Sequence, residues 1–473
     1  MIVRVPARYV VLSLVSAVVA IGSAAAQSAS PVLDTARLRR VVEEEMRATR
    51  TPGAAVAVVV DGRLAYAEGF GVTSVEEGSA VGASTLFRIG SVTKVFTGLS
   101  ALLMARDGAL DLDAPIGRYA TGLHPRLAAL TLRDLLHHTA GLASEAAASG
   151  PHDDAALGAR VRNWGTERLF ATAGDVYSYS GPGYWLAGYA LEQHAKGWYA
   201  DLVSKRVLEP LGMRRSTFRP TVAMTFPLAL DHRVEANGPV VLRPYPDDAS
   251  TWPSGALFSS VTELSRLAMA VMDSGRLDGT QVMPREAVAA LHAMQTPTPG
   301  SDCGYSFGLS VCSRAGVRTL SHYGFRVGSG AVFTLVPDRR IAVIILANRN
   351  GGIFGTTESA VLGMLIPALQ DSAPGETATA GQSERSRGSS SATGGARVVG
   401  RYVSGGDTLH LEVRDGVLRY RYGIDVSRAV VRADTIDILD ESGSTVQQFF
   451  LVRGRRTSAV YLHDGLNAFR RVP

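Results

Sequence analysis

The chain has 473 residues, 46% of them hydrophobic and 19% charged, which fits a folded protein with one large core and room for a second domain and excludes disorder throughout. Its formal charge of +5 falls to +3 without the first 26 residues, which hold Arg4 and Arg8 and no acid. The arginines are dispersed and no basic run interleaves with aromatics, so nucleic acid is not an expected partner.

In chain order, the two early arginines precede an apolar stretch from Tyr9 to Ile21 and the small triplet Ala24, Ala25, Ala26. That is the pattern of a secretory signal cleaved after Ala26, which makes the expected mature protein periplasmic or secreted. The apolar run is shorter than the roughly 18 residues of a membrane span, and no other segment is apolar enough to span, so no stable span is expected. Val32 to Ala48 has helical spacing and ends before Pro52 and Gly53. AAVAVVV, Asp61-Gly62 and RLAYAEGFG read as a hairpin, since Asp-Gly supplies the positive φ angles of a tight turn. Helical periods dominate from Ser91 to about Leu267. Strands return at Tyr305 to Val311, Arg318 to Ser321 and Gly330 to Val336, and, after a turn at Pro337-Asp338, at Arg340 to Ala347.

Strands at both ends of a helical middle predict an α/β fold of α+β type, an antiparallel sheet assembled from the two ends with helices on its faces. Asp371 to Ala396 is rich in Ser, Gly, Ala and Thr and lacks the apolar bulk to order itself, so it reads as a linker. Beyond it, Arg397 to Pro473 alternates apolar and polar residues between glycine-containing turns, the pattern of a small β barrel or sandwich. The expected layout is a signal over 1–26, a main domain over 27–370, a linker over 371–396 and a β domain over 397–473.

The only two cysteines, Cys303 and Cys312, invite a disulfide in an oxidising compartment. If Tyr305 to Val311 is one continuous strand, their Cα atoms lie about 30 Å apart, against the ~7 Å a bridge tolerates. Pairing therefore requires a bend at Gly304 or Gly308, and the sequence leaves both outcomes open.

Of 48 basic residues only Lys94, Lys196 and Lys205 are lysines. A lysine kept among so many arginines is informative, because a desolvated Lys can give up its proton and Arg cannot. Lys94 lies in FRIGSVTKVFTGLSALLMARDGAL, where Ser91 opens a helix and Lys94 follows at i+3, one turn along the same face. That spacing lets an amine accept the hydroxyl proton while free N–H groups at the helix start face developing negative charge. The plainer reading is an N-cap serine beside an incidental lysine.

The S-x-x-K pair and five further segments in order, LTLRDLLHHTAGL, AGDVYSYSGPGYWLAGYALE, VLEPLGMRRSTF, WPSGALFSSVTELSRLA and LSHYGFRVGSG, resemble the penicillin-recognising serine hydrolases. The similarity is to their β-lactamase-related branch of class C β-lactamases, D-alanyl-D-alanine carboxypeptidases and esterases, and runs from about Ala54 to Asn350. It implies Ser91 as nucleophile and Lys94 with Tyr179 as base and proton shuttle, with Tyr177 the rival phenol. A phenolate at Tyr179 would need nearby cations such as Lys94 and a charged His322. Gly181 stands where the family has an Asn that contacts a substrate amide. His322-Tyr323-Gly324 matches the family's Lys/His-x-Gly strand, His322 carrying a charge that depends on pH near neutrality. Gly324 keeps the way clear for substrate, and the Phe325 N–H joins that of Ser91 as an oxyanion hole.

His137 and His138 are read as structural, and Arg349 as a solvated loop arginine, with a role in holding a substrate carboxylate at the rim as the alternative. His152 and its neighbouring acids lack a ligand spacing, so no metal and no cofactor is expected. The implied partner is a small or peptide-like acyl substrate, cell-wall peptide and β-lactam being candidates, and the oligomeric state is open. Gly181 and His322 favour an esterase or D-peptidase over a class C-like β-lactamase. The rival from another class is a slowly acylating penicillin-binding sensor or cell-wall binding module.

Overall fold

The computed structural model describes residues 33–370, 395–432 and 435–472, except 77 and 146–148. The expected signal and all but the last two residues of the expected linker lie outside these. Residues 395 and 396, expected as linker, open a short helix, Gly395–Val398.

The first helix, α1 (Thr35–Thr49), is capped by the Asp34 carboxylate, which accepts the Arg37 N–H at 2.9 Å. Strands β1 (Gly53–Val60) and β2 (Arg63–Gly71) form the expected hairpin, with Asp61 and Gly62 at φ 52° and 74°. The helical middle includes α2 (Thr93–Arg106), α3 (Gly181–Ala195) and α4 (Val261–Met272). The returning strands are β3 (Thr296–Pro297), β4 (Cys303–Tyr305), β5 (Ser310–Arg314), β6 (Val317–Arg326), β7 (Ser329–Val336) and β8 (Ile341–Ala347), followed by α5 (Gly355–Leu365). Together they make one antiparallel sheet in the order β2-β1-β8-β7-β6-β5-β4-β3, so the two ends of the domain meet at the β1–β8 pair.

The two-residue alternation of a strand decides how this sheet is covered. Ala55, Ala57 and Val59 of β1, with Ala342, Ile344 and Leu346 of β8, pack into the large core shared with α2, α3 and α4. The intervening Ala54, Val56, Val58, Val343 and Ile345 face the opposite layer, Leu38 and Val42 of α1 and Val361 and Leu362 of α5. Both faces are buried, which is why β1 and β8 read as unbroken apolar runs.

The expected strand from Tyr305 to Val311 is not continuous. The chain reverses at Gly308, whose φ of 96° suits glycine, and splits into β4 and β5, paired with Cys303 opposite Cys312. That bend brings the two Cα atoms to 4.2 Å and the cysteines form a disulfide.

The C-terminal unit is a closed eight-stranded antiparallel barrel: β9 (Gly400–Ser404), β10 (Asp407–Arg414), β11 (Val417–Tyr422), β12 (Asp425–Arg432), β13 (Thr435–Leu439), β14 (Thr445–Arg453), β15 (Val460–His463) and β16 (Ala468–Val472). Inward residues such as Tyr402, Leu409, Ile436 and Phe449 fill its own core. Closure by the β9–β16 pair removes the open edges a small sheet would otherwise expose. Among the described residues, no helix is long and apolar enough to cross a membrane.

Candidate active site

Ser91 lies on the single 3-10 turn Gly90–Val92 that leads into α2. α2 passes through the core and is buried from Thr93 to Met104, Lys94 included. Lys94 Nζ sits 3.1 Å from Ser91 Oγ and donates to the Ser254 carbonyl at 2.7 Å. Burial, reinforced by the charge of Arg326, pushes the Lys94 ammonium well below its ordinary value, which makes the neutral amine an accessible proton acceptor for Ser91.

Tyr179 comes from the segment before α3, a helix begun by Ser180, whose hydroxyl accepts the Gly183 N–H at 3.2 Å. Lys94 Nζ stands 4.7 Å from the centre of the Tyr179 ring. Burial pushes the Tyr179 phenol up, and its hydrogen bond with Ser91 offsets this only in part, so its surroundings favour the protonated phenol over the phenolate that a base role needs. Tyr177 lines the same cavity but turns its ring toward Tyr305 and His463.

His322 departs from expectation in its charge. Its Nδ1 lies 2.8 Å from the Tyr323 carbonyl, an acceptor only, so Nδ1 carries the proton and Nε2 accepts from the Tyr305 hydroxyl at 3.1 Å. Burial is the main cause that pushes the ring down to about 3, leaving it neutral at physiological pH. His322 is therefore a fixed polar wall, not the pH-dependent cation expected.

Gly324 has another duty than the one expected. A Cβ on Gly324 would fall 2.1 Å from the Ile89 carbonyl oxygen, so Gly324 lets β6 touch the backbone that carries Ser91, and the close approach is by protein, not substrate. A Cβ on Gly90 would fall 2.7 Å from the Phe325 nitrogen, which sets the Phe325 N–H directly beside the nucleophile turn. The Phe325 ring is half exposed and lines the cavity. Gly181 is buried at the first turn of α3, its missing side chain facing Ser254 and Trp185, and it stays out of the cavity wall. Arg349 is not among the residues that line the cavity, and its Nη2 donates to the Gly351 carbonyl at 3.4 Å.

His137 packs edge-on against Phe307, as a structural residue would. His138, also read as structural, lies closer to the chemistry than its doublet suggests. Its ring centre is 4.3 Å from that of Tyr179 and 4.6 Å from that of Tyr305, and Nδ1 accepts the Ser180 N–H at 3.0 Å. It thus fixes both the ring and the backbone of the Tyr179 segment. Tyr305, which orients His322, was also missed, and only its place two residues after Cys303 could have suggested it. His152 pairs with Asp247 at 3.1 Å. Among the described residues no group of three His, Cys, Asp or Glu could hold a metal ion.

The barrel completes the site. The loop after β15 donates no side chain to the Ser91–Lys94 pair, but the Leu466 carbonyl accepts the Tyr179 N–H at 2.9 Å, and the Ala468 N–H donates to Ser178 Oγ at 3.2 Å. One loop earlier, the buried carboxylate of Asp175 accepts from Arg456 N–H, Thr457 N–H, Thr457 Oγ1 and the Tyr461 hydroxyl at 2.6–2.9 Å. Body and barrel together enclose a cavity of about 500 Å³, with Ser91 in its wall.

Residues 38–365 match the sequence profile of the family described as Beta-lactamase. The chain belongs to that family. Members of this superfamily are penicillin-recognising serine hydrolases, and an amine placed against a serine hydroxyl is the arrangement such acyl transfer needs. Within the Beta-lactamase family it is 22% identical over 322 residues to Protein flp of Staphylococcus aureus (strain MW2), covering 66% of this chain and 62% of that protein. Penicillin-binding protein 4 of Amycolatopsis lactamdurans is 28% identical over 337 residues, 66% of this chain and 85% of the relative. The crystal structure of SurE with D-Leu superposes with a TM-score of 0.71 at 24% identity, covering 92% of this chain and 99% of that one, so the fold likeness extends through the barrel.

Proposed function

We propose that this chain is an exported serine hydrolase that cleaves an ester or a D-amino-type amide through a Ser91 acyl-enzyme. The observation that carries the reading is the buried Lys94 amine 3.1 Å from Ser91 Oγ. Ser91 Oγ attacks the carbonyl carbon as Lys94 takes its proton, and the N–H groups of Ser91 and Phe325 face the resulting oxyanion. The intermediate collapses, the leaving group departs with a proton relayed through the Tyr179 hydroxyl, and water then releases the acyl group. Each donor of such an oxyanion pair is commonly worth about 3–4 kcal/mol of barrier.

The D-amino preference is supported by the likeness to SurE, which has been crystallised with D-Leu. Export is supported by the Cys303–Cys312 disulfide, a bond that persists in oxidising compartments, and by the leader-like first 26 residues. The test is purified protein against a short-chain nitrophenyl ester and a chromogenic cephalosporin, with Ser91→Ala as control. Ester turnover that Ser91→Ala abolishes is expected. Stoichiometric labelling with no turnover of any ester would favour a slowly acylating sensor, and equal rates for both proteins would remove Ser91 as nucleophile.

A further inference from the structure

Half of the cavity around Ser91 belongs to the barrel, and the two halves differ in chemistry. The body contributes Ser91, the phenols of Tyr177, Tyr179 and Tyr305, and the His322 imidazole. The barrel contributes the aromatic rings Tyr420, Tyr422, Phe449 and Phe469 and two carboxylates, Asp407 and Asp464. Among the described residues no arginine lines the cavity, and Lys94 beneath it is engaged with Ser91 and the Ser254 carbonyl. The enclosure therefore offers negative charge and aromatic faces and no free cation.

Both carboxylates keep an oxygen for a ligand. Asp464 Oδ1 accepts the N–H groups of Leu466 and Asn467 at 2.9 and 2.6 Å, and Asp407 Oδ1 accepts the Tyr422 hydroxyl at 3.0 Å. Neither Oδ2 has a donor among the described residues. The Asp464 loop is also the one whose Leu466 carbonyl holds the Tyr179 N–H, so this carboxylate is set at a fixed place relative to the nucleophile. Carboxylates among aromatic faces attract an ammonium group through charge and the negative faces of the rings, and they repel a substrate carboxylate.

We infer that the barrel is the specificity-determining wall of the site, with Asp464 and Asp407 selecting acyl substrates that carry an ammonium group and turning away those that carry a carboxylate. The inference rests on the Ser91 acyl-enzyme reading. It narrows the substrate to amine-bearing esters and amides, such as those with a free N-terminus, and it disfavours β-lactams and peptides whose C-terminal carboxylate must enter the cavity.

The test uses three 4-nitrophenyl esters of nearly equal shape, those of 4-(trimethylammonio)butanoic acid, of its neutral isostere 5,5-dimethylhexanoic acid and of glutaric acid. The full chain should show kcat/KM falling in that order, by about tenfold or more from cation to neutral ester, the scale of one charge-assisted contact. Asp464→Asn with Asp407→Asn keeps the amide oxygens that hold the loop and should compress the cation-to-neutral ratio to within about threefold. In the unaltered protein, butyltrimethylammonium should inhibit competitively where butyrate does not, a reading that needs no variant. Equal rates for the three esters, or a ratio unchanged in the double variant, would overturn the inference. Labelling of Ser91 by a neutral fluorophosphonate separates the two levels: labelled protein without charge order sinks only the barrel's role, whereas protein that neither labels nor turns over any ester sinks both.

Discussion

At the scale of single residues the account turns on a lysine forced out of water. Acylation uses the neutral form of Lys94, so kcat/KM should rise with pH as the amine loses its proton, with the inflection well below the ordinary lysine value of 10.5. His322, held neutral down to about pH 3, should leave that inflection in place when replaced by Gln. Lys94→Arg keeps a charge but cannot deprotonate and should lose two or more orders of magnitude in acylation. A pH–rate profile of the three proteins on one ester checks all of this. Gly324 gives a steric counterpart. Gly324→Ala would set a methyl 2.1 Å from the Ile89 oxygen, and the strain should cost roughly 2–3 kcal/mol in thermal unfolding and slow acylation by moving the nucleophile turn.

Ser91 and Lys94 stood out in the sequence through their i, i+3 spacing and the scarcity of lysine, and Tyr179 through the family resemblance alone; the structure brings the three together. The protonation states were not legible, since burial of Tyr179 and His322 depends on which elements close over them. The surroundings of Arg349 and Gly181 were not legible for a related reason. A sequence places a residue near the end of a strand or the start of a helix, but which side of the packed layer it faces is set by neighbours far along the chain.

At the scale of elements, the sheet was readable from its apolar runs, and β1 and β8 form where expected. The reversal at Gly308 was not decided by pattern, because Tyr305 to Val311 alternates well enough to pass for one strand. Its consequence is the β4–β5 hairpin with its disulfide, in which Tyr305 is set to hold His322. Closing a loop of this size is worth roughly 2–3 kcal/mol. Replacing both cysteines by serine should lower denaturant stability by about that amount, and unchanged stability would show that the strand pairing alone defines the edge.

At the scale of the whole molecule, the barrel is a partner of the site, and nothing in the alternation of 397–473 announced it. The link is Asp175, a buried carboxylate that takes four donors from the barrel, three from the loop before β15 and one from Tyr461 on β15. Burial works against its ionisation, but the Thr457 and Tyr461 hydroxyls and the Arg456 and Thr457 N–H groups outweigh it and hold the carboxyl below its usual range. A depressed folded value means the contact stabilises above the unfolded pKa and fades as pH falls through the folded one, so barrel docking should weaken in acid. Asp175→Ala leaves the buried Tyr461 hydroxyl and three part-buried donors unpaired and should cost about 3 kcal/mol. The same change should slow acylation, because the Tyr179 segment loses its support, and calorimetry beside an acylation assay reads both effects.

The most direct measurement is intact-protein and peptide mass spectrometry after exposure to a fluorophosphonate. A single adduct on Ser91 that disappears in Ser91→Ala and forms far more slowly in Lys94→Arg is the expected result. An adduct on another residue, or one that forms equally fast without the lysine, would contradict the Ser91–Lys94 mechanism.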